Sequence, residues 1–337
     1  MYDPHHMKKP AHCNHSVRLS LIVFAQMVAV NFATAGEQYN LQNDHAPSRV
    51  MLPSASGIAV LEDRVYVEGD DSPWLFIVDD QFRVIERSRI NGWPTDENQR
   101  IPKAIKPDLE SMAAVTDGGA DFLILLGSGS KPKIRETGFV VSGEGAIMHE
   151  TNMQAAYAEL KTAAKIDELN LEGLAVADGD VFMLNRINGG GNFIFRVGSQ
   201  QFRDYMFGRA STLGEVKAFK LKLPEIAGFE AGLSGADFWR ERNSIILTSS
   251  VEATGNSYDD GQILGSFIGV VGIDSLRQDA LNDVTAVSHP VQAGGKPIRT
   301  KLESIIIRAH DNTSIGGIAV SDNDDGSSDF LHYSLTR

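Results

Sequence analysis

A short strand opening recurs five times along this chain, and that recurrence narrows the possible folds more than any other feature. The copies are Ser56-Gly57-Ile58-Ala59, Glu110-Ser111-Met112-Ala113, Glu172-Gly173-Leu174-Ala175, Ser234-Gly235-Ala236-Asp237 and Glu303-Ser304-Ile305-Ile306, set 54, 62, 62 and 69 residues apart. Self-similarity at a period of tens of residues marks a repeat architecture. The third copy displays the unit most plainly. Leu171 to Ala177 is a short apolar run, Asp178-Gly179-Asp180 a tight turn and Val181 to Arg186 the antiparallel return, because Asp-Gly between two apolar runs favours a hairpin.

Each copy is followed by a second apolar run (Arg64 to Asp71, Phe122 to Ser130, Val181 to Arg186, Ser244 to Ser250, Ile315 to Asn323). A third comes after it (Trp74 to Val78, Gly138 to Val141, Asn192 to Val197, Phe267 to Ile273, Phe330 to Leu335). Fourth strands are predicted at Phe82 to Arg89, Ala146 to Glu150, Val216 to Leu223 and Val284 to Pro290, but the last repeat meets the end of the chain after its third. Arg49 to Leu52, ahead of the first copy, can supply the missing strand and close a ring with no unpaired edge. The expected fold is all-β, a β-propeller of five four-stranded blades closed by an N-terminal strand. Six blades result if 251–302 holds another, and a two-sheet sandwich is the non-repeating alternative. One helix is expected, Gln154 to Ala164, with Asn152 as its cap and Tyr157, Leu160 and Ala164 on the packed face.

Lys8, Lys9 and Arg18 flank the apolar stretch Leu19 to Val30, which is short for a membrane span, and Ala33-Thr34-Ala35 fits a cleavage site. Residues 1–35 read as a signal peptide, 36–48 as a flexible lead-in and 49–337 as one propeller domain. Export to the periplasm or the exterior is expected, with no membrane span after cleavage. The only cysteine, Cys13, falls in the leader. The rest of the chain therefore offers no disulfide, thiolate metal site or cysteine nucleophile. A net charge of -13 with no basic run argues against nucleic acid as a partner, and a monomer is expected.

In an antiparallel hairpin the start of the first strand and the end of the second share an edge. One face should therefore gather Ser56, Glu110, Glu172, Ser234 and Glu303 around the channel. Around them come Gly69-Asp70-Asp71-Ser72, Gly127-Ser128-Gly129-Ser130-Lys131, Asn185-Arg186 with Gly189 to Gly191, Tyr258-Asp259-Asp260-Gly261 and Ser321 to Asp325. Converging carboxylates raise one another's proton affinity unless a cation sits among them. Oxygen donors without histidine or thiolate suit calcium, a hard cation, with Glu110, Glu172 and Glu303 as ligands. The alternative is that these glutamates bond backbone amides of neighbouring blades. Ser56 and Ser234 read as packing residues. Lys103, Lys106, Lys131, Lys133, Arg135 and Arg186 fall in the same loops, where they can pair with the acids or bind an anionic group, and Lys131, Arg135 and Arg186 are candidate clamps for an anionic or ester ligand. Nucleophilic hydrolysis finds little support: there is no Gly-x-Ser-x-Gly elbow, and His45, His149, His289, His310 and His332 lie outside the repeated positions.

Taken together, the Glu-Gly/Ser openings, Gly69-Asp70-Asp71-Ser72-Pro73, Lys106-Pro107-Asp108-Leu109-Glu110, Gly127-Ser128-Gly129-Ser130-Lys131, Leu171-Glu172-Gly173 and Asp322-Asn323-Asp324-Asp325 carry a likeness. Over roughly Arg49 to Leu335 the chain resembles an uncharacterised bacterial family of phytase-like β-propeller proteins. Its distant cousins, alkaline phytases and calcium-dependent lactonases, imply a calcium ion at the channel mouth and hydrolysis by a metal-activated water. This sequence departs from them in lacking the dense acidic signature of the phytases and in carrying serine at two of five channel positions. Two functions are expected. One is a calcium-dependent hydrolase of a small ester, phosphoester or lactone, with Asp70 or Asp322 as the base. The other is a non-catalytic propeller that binds a ligand or partner on the same face.

Overall fold

The first described strands are hydrogen-bonded to the last strand, and that pairing closes a ring. The structure, a computed structural model, describes residues 39–43, 46–187, 191–254 and 261–337. Ser48–Val50 pairs antiparallel with the last strand, Ser328–Thr336, through Ser48↔Phe330 and Val50↔Ser328. Asn40–Gln42 pairs farther along the same strand, through Asn40↔Thr336 and Gln42↔Ser334. The segment expected to be a flexible lead-in thus contributes a strand of its own. The cause lies in two apolar side chains set among polar ones: Tyr39 lies 5.7 Å from the Trp239 ring, and Leu41 packs against the same core group.

Five blades surround the axis. Blade 1 is Ala55–Leu61, Arg64–Gly69, Trp74–Val78 and Val84–Arg89, and blade 2 is Leu109–Asp117, Ala120–Gly127, Thr137–Ser142 and Ile147–Asn152. Blade 3 is Leu171–Val176, Asp180–Asn185, Phe193–Gly198 and Lys217–Lys222, with Leu281–Asp283 added in parallel outside it. Blade 4 is Gly232–Trp239, Ser244–Glu252, Ile263–Gly272 and Ser288–Pro290. Blade 5 is Leu302–His310, Ser314–Asp322, Ser328–Thr336 and the two N-terminal pieces. Between Gly272 and Leu302 the described strands are two or three residues long, so no sixth blade is present among the described residues.

Side chains alternate across each strand, and on the inner strands both faces are buried. Ile58, Val67 and Phe76 of blade 1 pack on Ile306, Ile318 and Phe330 of blade 5. Tyr66, Leu75 and Ile77 of the same blade face Leu109, Leu123 and Phe139 of blade 2. The helix Gln154–Ala164 forms where expected, the Gln154 amide donating to the Asn152 side chain at 2.8 Å. Its Tyr157 and Leu160 fill the gap between blades 2 and 3. A second helix, Ser199–Met206, escapes the sequence reading; its eight residues are too few to display a helical period, and it buries Phe202, Tyr205 and Met206 in the same gap.

The five strand openings share one irregularity. The register of the inner strand slips between Ala55 and Gly57, Leu109 and Ser111, Leu171 and Gly173, Leu233 and Ala236, and Leu302 and Ser304. Ser56, Glu110, Glu172, Ser234 with Gly235, and Glu303 are therefore the extra residues of β-bulges, which re-aim a side chain away from the regular pleat. The residue before each is an anchor with no exposure: Ala55, Leu109, Leu171, Leu233 and Leu302. At Gly173 and Gly235 the residue is glycine because adjacent inner strands almost touch. A Cβ on Gly173 would run into the Ser234 carbonyl of blade 4, and one on Gly235 into the Ser304 backbone of blade 5.

No helix among the described residues is long and apolar enough to cross a membrane. The signal peptide expected over 1–35 with Cys13, together with His45, Gly189, Gly190, Tyr258, Asp259 and Asp260, lies outside the described residues.

Candidate functional site

The end of the ring where the inner strands begin holds a cavity of about 440 Å³. Four bulge residues line it: Ser56, Glu110, Glu172 and Glu303. Asp70 and Asp71 come from the end of the second strand of blade 1, Asp322 and Asp324 from the corresponding end in blade 5. The connection from blade 1 to blade 2 adds Arg100, Lys103, Lys106 and Asp108. Only Leu169 and Ile187 of the lining residues are apolar, so the cavity suits a polar or ionic ligand. The Ser56 hydroxyl donates to the Leu109 carbonyl of the next blade at 2.8 Å, and the Ser234 hydroxyl lies 2.8 Å from Thr248 Oγ1 inside blade 4.

Acids and bases alternate around the floor in two groups. In the first, Lys106 Nζ bonds Asp70 Oδ2 and lies 2.7 Å from Asp108 Oδ1, while Arg135 takes the other Asp108 oxygen. One oxygen each from Asp70, Asp108 and Glu110 falls within 4.8 Å of the other two. The Glu110 carboxylate is bonded by no described group, and Asp70 Oδ1 is buried without a hydrogen bond. In the second group, Arg186 stands 2.6 Å from Glu252 and 3.8 Å from Glu172. Lys301 stands 2.9 Å from Glu303 and 3.5 Å from Glu252. Asn170 donates to Glu172, and Glu303 Oε2 is buried with no partner.

Burial is the main reason several of these acids hold protons more tightly than usual. It raises Glu110 well above the usual carboxylate range, with Glu172, Asp108 and Asp70 adding their repulsion and Lys106 opposing. Burial pushes Glu172 up to about 8 against the pull of Arg186, and Asp322 up to about 7. Asp70 and Glu303 are raised by burial too, although Lys106 and Lys301 hold them back in part. Glu252 goes the other way: burial would raise it, but Arg186 and Lys301 outweigh that and leave it low. For Lys106 and Arg186 burial disfavours the charge, and the surrounding carboxylates more than restore it.

The cavity thus collects Asp70, Asp322, Lys131, Arg135, Arg186, Glu110, Glu172 and Glu303, the residues the sequence singles out. It places them in different circumstances. Arg135 and Arg186 are engaged by Asp108 and by Glu252 with Glu172, whereas Lys103 and Lys131 are exposed at the rim. Lys131 reaches the Ala104 carbonyl at 3.3 Å. Glu172 and Glu303 meet side-chain partners instead of neighbouring backbone amides. The compact oxygen group joins Glu110 to Asp70 and Asp108, not to Glu172 and Glu303. His149, His289, His310 and His332 do not line the cavity, and His310 sits 3.0 Å from Glu241.

Asp108, Asn170, Lys301 and Glu252 are the participants that sequence reasoning passes over. The first three had a signal: each stands two residues before a bulge residue, where the other copies have Ser54 and Gly232. Asp108 and Ser54 share a left-handed backbone there, with φ of 57° and 55°. Glu252 had none, because it enters through the length of the second strand of blade 4.

Solved structures similar to the chain include an alpha-L-arabinanase mutant of Cellvibrio cellulosa, 12% identical with a TM-score of 0.48, covering 85% of this chain and 92% of that one. Another is the glutaminyl cyclase of Myxococcus xanthus, 10% identical with a TM-score of 0.45, covering 87% and 96%. No curated protein matches the chain. Residues 51–335 match the model of a family of unknown function (DUF6929), and the chain belongs to that family.

Proposed function

We propose that this member of the family is a hydrolase of a small polar ester, phosphoester or lactone, working at the channel mouth with a divalent cation, in the phytase-like or lactonase-like manner that the sequence resemblance implies. The observation that carries the reading is the oxygen cluster at the floor, where one oxygen each from Asp70, Asp108 and Glu110 falls within 4.8 Å of the other two. Asp70 Oδ1 and Glu303 Oε2 are moreover buried acceptors without a hydrogen bond, groups that a cation or a donor would satisfy.

Asp70, Asp108 and Glu110 are the residues that would hold such an ion, and an all-oxygen donor set favours calcium. Bound there, it would polarise the scissile group and acidify a water. The chain's own residues supply the rest. Asp322, with a proton affinity near neutral pH, is suited to accept a proton from an attacking water. Asp70 is less free for that task because Lys106 holds it. Lys103 and Lys131 at the rim are placed to draw in an anionic substituent, and the buried pairs of Arg135 and Arg186 keep the floor rigid.

The test is calorimetry with calcium chloride on the wild type and Glu110→Gln, followed by a panel of model esters, phosphoesters and lactones. Saturating calcium at about 100 times Kd should stabilise the wild type by about 2.7 kcal/mol, and Glu110→Gln should lose most of that while keeping its fold. Neither stabilisation nor turnover in the wild type would sink the proposal. Stabilisation without turnover would instead mark a ligand-binding propeller.

A further inference from the structure

We propose that Lys106 is a tethered counter-cation that sets how strongly the Asp70, Asp108 and Glu110 oxygens accept an external divalent ion. This rests on the cation reading of the same site and names the residue that governs it. Three carboxylates with oxygens inside 4.8 Å repel one another strongly in an enclosed cavity. Lys106 answers for two of them, bonding Asp70 Oδ2 and lying 2.7 Å from Asp108 Oδ1. Its side chain is 15% exposed and leaves a closed turn, in which the amides of Ile105 and Lys106 both donate to the Pro102 carbonyl.

One positive charge does not finish the task. Glu110 stays unbonded by any described group and Asp70 Oδ1 stays unpaired. An independent sign comes from the facing wall. Glu303, 5% exposed, lines the same cavity and keeps Oε2 buried without a partner even though Lys301 holds its other oxygen. A buried unpaired carboxylate oxygen is costly, so a cation entering this cavity finds acceptors that the chain's own groups leave unmet. The ammonium nevertheless stands among the oxygens that such an ion needs. Entry therefore means sharing or displacing Lys106, and the affinity of the wild type should be well below what the three carboxylates alone would give.

Calcium chloride titration by calorimetry on the whole chain tests this. Lys106→Met and Lys106→Gln should bind at least about ten-fold tighter than the wild type, a difference of about 1.4 kcal/mol. Lys106→Arg should not, and the gain should vanish when Asp70→Asn is added. Lys217→Met, on the outer strand of blade 3, controls for the change in net charge. Equal or weaker binding by both neutral variants overturns the proposal, as does an equal gain in Lys217→Met. Should the neutral variants unfold without metal, refolding by calcium seen in circular dichroism supports the proposal and failure to refold overturns it. The two readings fail separately. A wild type that ignores calcium while the neutral variants bind it removes the cation-dependent function and keeps the role of Lys106; a wild type that binds calcium more tightly than they do has the opposite effect.

Discussion

Glu172→Gln should make the protein more stable at neutral pH, and the size of the effect follows from where Glu172 sits. The residue is buried, takes a hydrogen bond from Asn170, and has its proton affinity raised to about 8 mainly by burial. An acid whose folded pKa exceeds its unfolded value contributes stability that is intact below the unfolded value, about 4.3, and is lost as pH rises towards 8. Over that window the folded state holds one proton more than the unfolded state, a slope of about 1.4 kcal/mol per pH unit. Glutamine mimics the protonated acid and does not titrate. Between pH 5.5 and 7.5 the wild type should therefore lose about 3 kcal/mol more than the variant. For a domain of this length the unfolding entropy is about 0.6 kcal/mol/K, so the gap in Tm should widen by about 5 °C. Thermal and urea melts of both proteins at pH 5.5, 6.5 and 7.5 in a chelating buffer measure the gaps in Tm and in free energy. Glu110, Glu303, Asp70 and Asp322 also have raised affinities, so both proteins should lose stability with pH, the variant less steeply. Parallel profiles, or a variant less stable than the wild type at pH 7.5, would refute the reasoning.

Arg186→Met should cost about 3 to 5 kcal/mol, because it strands Glu252 and Glu172 in a buried site; a drop in Tm below about 2 °C would show that the pairs bear little load. Gly235→Ala, forced against the Ser304 backbone, should cost about 1 to 3 kcal/mol by overpacking. Gly179→Ala, with nothing within 4 Å of the new methyl, is the neutral control, and equal melting of the two would count against the close approach of blades 4 and 5. A chain beginning at Met51 lacks both pieces that pair with the last strand and should melt lower or aggregate through that exposed edge; unchanged melting would remove the closure from the list of stabilising features.

The ring was legible because a propeller writes its fold in a repeat, and each copy carries its own turn and apolar runs. Leu171 to Arg186 lies in the structure as the hairpin its Asp-Gly implies, with Leu171↔Asn185 and Val176↔Val181 in register. Asn40–Gln42 was harder to see, since a three-residue edge strand has no period and its two apolar anchors find their partners only in blades 4 and 5. At the mouth, the bulge acids were visible through the repeat and the bases Lys106, Arg135 and Arg186 through their loops, whereas Lys301 and the pairings themselves were not. Lys106 arrives from an insertion between blades and Lys301 from the residue two before a bulge. Which lysine meets which acid depends on distances around the ring that no local pattern encodes.

The seam at Asn40↔Thr336 and Ser48↔Phe330 also puts a clock on folding. The piece that completes the last blade is synthesised well before its partner and must stay available until the final strand exists. Blades 1 to 4 can assemble from neighbouring sequence, but the final pairing spans nearly the whole chain, and contacts that distant are formed late and slowly. Until then both ends of the curved stack are open edges, able to pair with another copy. Losing either residues 40–50 or the last strand removes the same lock, so the two segments should share one vulnerability to trimming although almost the whole propeller separates them in sequence.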